Sequence, residues 1–411
     1  MTILKQPFKF SRQQRGVTLV ELMIAVTISS IVMIGIASVY TSSKRSYKLQ
    51  EEFSRLQENG RFAINHITRF VRSAGYSGCA SGLNSISSIL NPTTDGIWEF
   101  STGIEGYDYI GTEPGQLITL SATPTATTDT AGNHDNWKAD TTPVSLPDPA
   151  GTDNDLLGHT FSPIANTDII VARTSDGSGV EVSQDNGGGQ VFITCAAANS
   201  HTCPDDVDGN SVPDGYCGLC EGDAVLVSNC QEAVAFQITN TQAVGAGVDQ
   251  VNIVHSAGGG NPGNSTPTLP LALNTGDEVM KVSTKVFYVG MGTTGPALFM
   301  RQGAADAIEL VEGVENMQVL YGEDTDATPD NIPNRYVAAT DVIDFANVVA
   351  VRVSILLRSV KELPWRTATS KTYHLGGMDD DTAVRVKAPS DKRLRRVMST
   401  TIKVRNRAFS L

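Results

Sequence analysis

The 411-residue chain carries none of the common catalytic signatures: there is no HExxH, no GxSxG and no P-loop. Its six histidines, His66, His134, His159, His201, His255 and His374, stand apart in sequence, so none pairs with another at metal-ligand spacing. Gly258-Gly-Gly-Asn-Pro-Gly263 fits GxGxxG in form, but Pro262, Pro267 and Pro270 forbid the helix that a dinucleotide site needs at that place. Nothing here points to an enzyme. Basic charge is scarce as well, with 31 Lys and Arg against 44 Asp and Glu and a formal net charge of −13. A surface so acidic argues against general nucleic-acid binding, which depends on neutralising phosphates. The first 20 residues, by contrast, contain no acidic residue at all.

That acid-free start leads into the most informative segment, residues 12–40, RQQRGVTLVELMIAVTISSIVMIGIASVY. Val17 to Tyr40 is long enough to cross a bilayer as a helix, which needs roughly 20 apolar residues. Lys5, Lys9, Arg12 and Arg15 precede it, so the positive-inside rule keeps the N-terminus cytoplasmic and sends the chain beyond Tyr40 to the other side. No A-x-A-like site closes the run, and the segment is expected to be retained. One carboxylate, Glu21, interrupts it at a cost of roughly 2.5 to 3.5 kcal/mol on insertion scales. Such a cost calls for a compensating partner.

With Gly16, Val17 and Glu21 in this order before an apolar helix, the chain resembles the type IV pilins. The resemblance implies a leader, residues 1–16, removed by a prepilin peptidase after Gly16, and N-methylation of the new amine at Val17. It also implies that Glu21 serves as the assembly contact, pairing with the amine of a neighbouring subunit. The first mature residue of the family is usually Phe or Met; here it is Val. Without the leader the balance is 27 basic to 44 acidic residues, a net of −17.

Beyond Tyr40 the pattern stays helical. Phe53, Leu56, Ala63, Ile64, Ile67, Phe70 and Val71 recur at threes and fours between polar residues, which predicts an amphipathic continuation over residues 41–74. One helix from Val17 to about Ser73 would be about 85 Å long. Gly75 and Gly78 supply its stop, and Gly35 and Gly60 are points where it can bend. Residues 81–163 read as loops and short strands. Strand-like runs come next at 168–172, 190–194, 223–228, 233–239, 251–254, 282–290, 316–321, 347–357 and 395–404, an antiparallel pattern rather than a βαβ array. The Gly-rich tracts 186–189 and 258–263 read as exposed loops. Lys392, Arg393, Arg395, Arg396, Lys403, Arg405 and Arg407 alternate with apolar residues and read as the solvated face of the last strand.

Cysteine is sparse, and Cys79, Cys195, Cys203, Cys217, Cys220 and Cys230 all lie after the apolar segment. An even, exported set predicts disulfides, with the pairing open. Cys217-Gly-Leu-Cys220 also has the form of a redox CxxC or half a zinc site, but no second CxxC or HxxxH accompanies it. Inside this cysteine-rich insert, residues 195–230, Asp206, Asp208, Asn210, the Val212 carbonyl and Asp214 have the alternate spacing of a loop that wraps Ca²⁺. The twelfth position of such a loop would be Cys217 instead of Glu, so a plain polar turn is the competing reading. No cofactor is required.

Four later blocks narrow the resemblance to the PilW family of minor pilins: residues 70–79, 222–230, 309–322 and 394–407. The implied fold is α+β and pilin-like, a long N-terminal helix packed on a large antiparallel β-rich globular domain spanning residues 75–411. The implied role is initiation of type IV pilus assembly at or near the tip. Other minor pilins, the major pilin, the prepilin peptidase and the inner-membrane assembly platform would be its partners. The chain would stand in the inner membrane with its globular part periplasmic and then enter the pilus. A type II secretion pseudopilin and a tip adhesin are the alternatives.

Overall fold

A computed structural model describes residues 16–78, 86–91, 96–125, 137–138, 163–186, 188–196, 199–203, 215–245, 249–258, 262–303, 305–377 and 381–406. The chain divides into two compact units, Met1–Ser54 and Arg55–Leu411. One helix, α1, Leu19–Ser73, contributes to both and runs unbroken through Gly35 and Gly60.

In the first unit, α1 is mostly apolar on every side from Leu19 to Tyr40, and its large hydrophobic side chains are exposed. A soluble helix would show one apolar stripe; a helix apolar all round belongs in lipid or in a protein core. By length and composition this segment is able to span a membrane.

In the second unit the remaining turns of α1 bury Leu56, Gly60, Ala63, Ile67 and Val71, a stripe with the 3–4 spacing of one helix face. Phe53 stays exposed, and Ile64 and Phe70 are only half-buried, so the observed stripe is narrower than the apolar periodicity suggests. Gly60 is not a bend. A Cβ there would collide with the Met398 sulfur and come within 2.8 Å of Leu357 Cδ1, so the missing side chain lets the helix lie close on the sheet beneath it. Asn59 Nδ2 donates to the Glu312 carbonyl at 3.2 Å. At the far end Asn406 Nδ2 donates to the carbonyls of Arg72 and Ala74, both at 3.4 Å. The helix stops at Gly75, whose φ of +71° only glycine adopts cheaply, and whose N–H goes to the Arg173 carbonyl.

The supporting four-stranded sheet has the order Arg335–Val337, Val314–Glu323, Val348–Arg358, Arg395–Lys403, antiparallel throughout. All ten residues of Val314–Glu323 are buried, among them Glu315, Asn316, Gln318 and Glu323, whose polar groups must find partners inside the fold. A larger sheet of nine strands is organised around the 15-residue strand Glu278–Gly292, paired with Ile169–Glu181 on one side and Ala224–Ser228 on the other. Further along that strand, Gly292-Thr-Thr-Gly295 turns it into Gly295–Gln302. Ile104–Tyr109 extends the sheet beyond Ile169–Glu181. Three smaller sheets complete the described part. Pairing is antiparallel except at two places, Ile86–Ser88 with Ala233–Gln237 and Val384–Lys387 with Leu117–Thr119.

All nine expected strand segments are present, eight with ends shifted by a few residues and one, expected at 168–172, running on to Glu181, and the α+β arrangement of one long helix on a β-rich domain is observed. Other local expectations fail: in the 258–263 tract Gly258 is exposed but Pro262 and Gly263 are buried. In the 186–189 tract Gly189 is exposed as expected, but Gly188 is buried with φ +82°, and a Cβ there would meet the Leu269 carbonyl oxygen at 2.5 Å. Arg395 is not on a solvated face. Its guanidinium is buried, holding Glu315 at 2.6 and 2.9 Å and Asp391 at 2.7 Å, while Arg358 reaches Glu315 at 3.4 Å. Burial works against the charge of Arg395, but its hydrogen bonds to Asp391 and Glu315 outweigh that and raise its pKa.

The two larger sheets meet at a polar seam. Asp168 N donates to the Met317 carbonyl at 3.0 Å, and its carboxylate accepts from Val319 N at 2.8 Å, tying the start of Ile169–Glu181 to the open edge of Val314–Glu323. Asp108 Oδ2 accepts from Thr340 N at 3.2 Å, whereas its buried Oδ1 has no partner. Burial pushes the Asp108 carboxyl up to about 7, and burial together with the charge of Asp108 pushes Asp168 well up too.

Candidate functional site

The residues singled out by the leader pattern converge at the start of α1. Gly16, Val17 and Thr18 form a non-helical, exposed approach, with Val17 70 % exposed. Thr18 is the N-cap: its carbonyl accepts from Leu22 N at 3.2 Å and its hydroxyl accepts from Glu21 N at 3.3 Å. Glu21 reaches back, its Oε2 accepting from Thr18 N and from Thr18 Oγ1, both at 3.1 Å. This reciprocal pair is a capping box, and Thr-x-x-Glu before an apolar run is its sequence signature. The carboxylate expected only as a contact to another subunit therefore also closes its own helix end. Reaching back places it one residue from the Gly16–Val17 bond, beside helix N–H groups that favour negative charge.

The cysteine-rich insert is held by two disulfides among the described residues, Cys195–Cys217 and Cys203–Cys220. Cys230 is disulfide-bonded as well. Cys79 lies outside the described residues, as do all five positions expected to wrap calcium, Asp206, Asp208, Asn210, Val212 and Asp214. The CxxC cysteines are not joined to each other; each pairs with a cysteine earlier in the chain.

Elsewhere the carboxylates of Asp324, Asp326 and Asp330 come together in the connection after Val314–Glu323. Asp324 already accepts from the backbone N–H groups of Asp326 and Asn331, at 3.3 and 2.7 Å, which makes the group a self-bonded turn. Sequence reasoning did not find Thr18 as a cap, although the Thr-x-x-Glu signal was present. It also missed His201, which lies against Cys220, and no local pattern could have revealed that pairing.

Comparison with known families adds two matches. The model of the prokaryotic N-terminal methylation motif matches residues 11–37, and that of the type IV pilus-assembly protein W family matches residues 286–406. No curated protein and no solved structure matches the chain. The first match contains Gly16, Thr18 and Glu21. The second contains the supporting four-stranded sheet, the Arg395–Glu315–Arg358 cluster and Asn406. The chain therefore carries a pilin-type leader and a PilW-type domain, and is related to type IV pili.

Proposed function

We propose that the protein is a minor pilin which, after removal of residues 1–16 and methylation of Val17, joins other minor pilins and the major pilin to initiate a type IV pilus at or near its tip. The observation that carries this reading is the Thr18–Glu21 capping box inside the matched leader. Cleavage after Gly16 would create an amine at Val17, beside a carboxylate already turned toward the helix start. In lipid that carboxylate is costly unless partnered. Exchanging its Thr18 bonds for the amine of a neighbouring subunit would make it favourable in an assembly, the logic of a paired charge in a low-dielectric setting. The helix would then leave the bilayer for the filament, while the globular unit, Arg55–Leu411, stands on the periplasmic side before incorporation. A body of that size is bulky for side-by-side packing along a shaft and is better tolerated at a cap.

Two measurements test the reading. Intact-mass analysis of the mature protein should give a chain beginning at a methylated Val17. Deletion of the protein should abolish surface pili while major pilin levels stay unchanged; normal piliation in the deletion strain would sink the initiation role. A pseudopilin of a secretion system would instead leave pili intact and impair release of a secreted protein.

A further inference from the structure

The four-stranded sheet has two unlike edges. On one side Val314–Glu323 is covered by the short strand Arg335–Val337 and by the seam at Asp168. On the other lies Arg395–Lys403, which pairs with Val348–Arg358 in continuous register without a bulge, and no other described strand or bridge reaches it. Its 9 residues at about 3.4 Å each make an edge of about 30 Å. Folded proteins usually keep open edges short, bulged or twisted away, because an open edge invites another strand. This one is long and regular. Hydrogen bonds at its two ends show which backbone groups it offers. Val404 N donates to the Val349 carbonyl at 3.0 Å, and Ser359 N donates to the Leu394 carbonyl at 2.8 Å. The residues in phase with them, Arg396, Met398, Thr400 and Ile402, therefore bond inward, and the alternate ones, Val397, Ser399, Thr401 and Lys403, turn N–H and C=O outward. Ser399, Thr401 and Lys403 are exposed.

The charge along this edge runs against that of the chain. With 31 basic and 44 acidic residues overall, the stretch from Lys392 to Arg407 holds several basic residues and no acidic one. Arg395 is neutralised inside the fold by Glu315 and Asp391. Arg396 near one end of the edge, and Lys403 and Arg405 at the other, are exposed, and no ion pair among the described residues neutralises them. Arg352 adds a cation beside the open groups, its Nε donating to Thr401 Oγ1 at 3.4 Å. The edge is thus a strand template with positive charge at both ends.

We propose that this edge takes up an extended segment of a partner protein as a further strand, a segment with acidic residues at both ends and small or β-branched residues between. Main-chain hydrogen bonds would supply the affinity and the end charges the selectivity. Carboxylates at both ends suit either strand direction, and a β-branched centre matches the short side chains of Ser399 and Thr401. A second copy of this strand is a poor occupant, because pairing two such edges brings only cations together. The binding needs only the folded globular unit, so it stands whether or not the protein primes a pilus.

Amide exchange on the full-length protein in detergent tests the edge, alone and with a synthetic peptide in which alternating threonine and valine are flanked by glutamates at each end. In the protein alone the amides of Val397, Ser399, Thr401 and Lys403 should exchange fast and their alternate neighbours slowly. The peptide should slow the fast set, an alternation that strand pairing produces and loose electrostatic adherence does not. A peptide with lysines in place of the glutamates should bind about tenfold more weakly, and added salt should weaken the acidic one. Thr401→Pro removes one outward N–H at an edge position where proline is tolerated, and should cut binding about tenfold with the melting temperature nearly unchanged. Arg396→Glu with Lys403→Glu leaves the backbone alone and should transfer the preference to the lysine-ended peptide. Outward amides already protected in the protein alone, no binding of the acidic peptide, binding that slows no edge amide, or equal binding of the two peptides overturns the proposal. A dimer of the wild-type protein that Thr401→Pro dissolves also overturns it, since the occupant is then a second copy.

Discussion

Arg395 and Asp108 show how single residues set the energetics of the globular unit. The side chains of Arg395, Arg358 and Glu315 are all buried, and Arg395 alone satisfies two carboxylates. Removing one partner leaves an uncompensated buried charge, which typically costs 3–5 kcal/mol. Arg395→Ala should therefore lower the melting temperature by about 4–7 degrees. Replacing the cluster by apolar residues of matching volume should cost far less. Asp108 acts in the opposite direction. Its folded pKa lies near 7, above the ordinary carboxylate value, so the neutral acid is the form the fold prefers. Its contribution is complete below the ordinary value and is lost as pH rises through about 7. Thermal melts should show stability falling from about pH 4 to about pH 7, and Asp108→Asn should flatten that slope. The amide keeps an acceptor for Thr340 N and offers a donor where Oδ1 has no partner.

At the scale of elements, the sequence displayed most of the architecture and hid the contacts between pieces. Strands such as Ala224–Ser228 and Val348–Arg358 are short apolar runs bounded by turn residues, and such runs are visible locally. Gly295–Gln302 was missed because Pro296 and Arg301 break its apolar pattern, and only pairing with the preceding strand makes it one. Gly60 was read as a weak point for a related reason: local propensity cannot reveal a sheet residue 338 positions away. Gly60→Leu tests its actual role. The new side chain would have to displace Met398 and Leu357, and overpacking of this kind costs about 1–3 kcal/mol. The expected result is a lower melting temperature and faster amide exchange in residues 55–73, with the apolar segment before Tyr40 unaffected.

Taken whole, the molecule joins a pilin-type leader to a PilW-type domain, with a long stretch between the two matched regions. The leader pattern was legible from Gly16, Val17 and Glu21 because its chemistry is local. The contact of His201 with Cys220 was not, since it exists only after the short strands of the insert pair. If leader removal is needed for the protein to act, Gly16→Lys should yield a chain that keeps the leader mass, remains in the membrane fraction and supports no surface pili. Piliation by the uncut chain would break the link between processing and function.

The contacts along the second half of α1 also order events in time. Its partners are Glu312, Leu357, Met398 and finally Asn406, all encoded hundreds of residues downstream. During synthesis the stripe of Leu56, Ala63, Ile67 and Val71 thus lacks part of its cover until almost the last strand has been made. A chain clipped before Arg395 would leave part of that stripe open to proteases, so the cover of the helix reports whether the C-terminal strand is present.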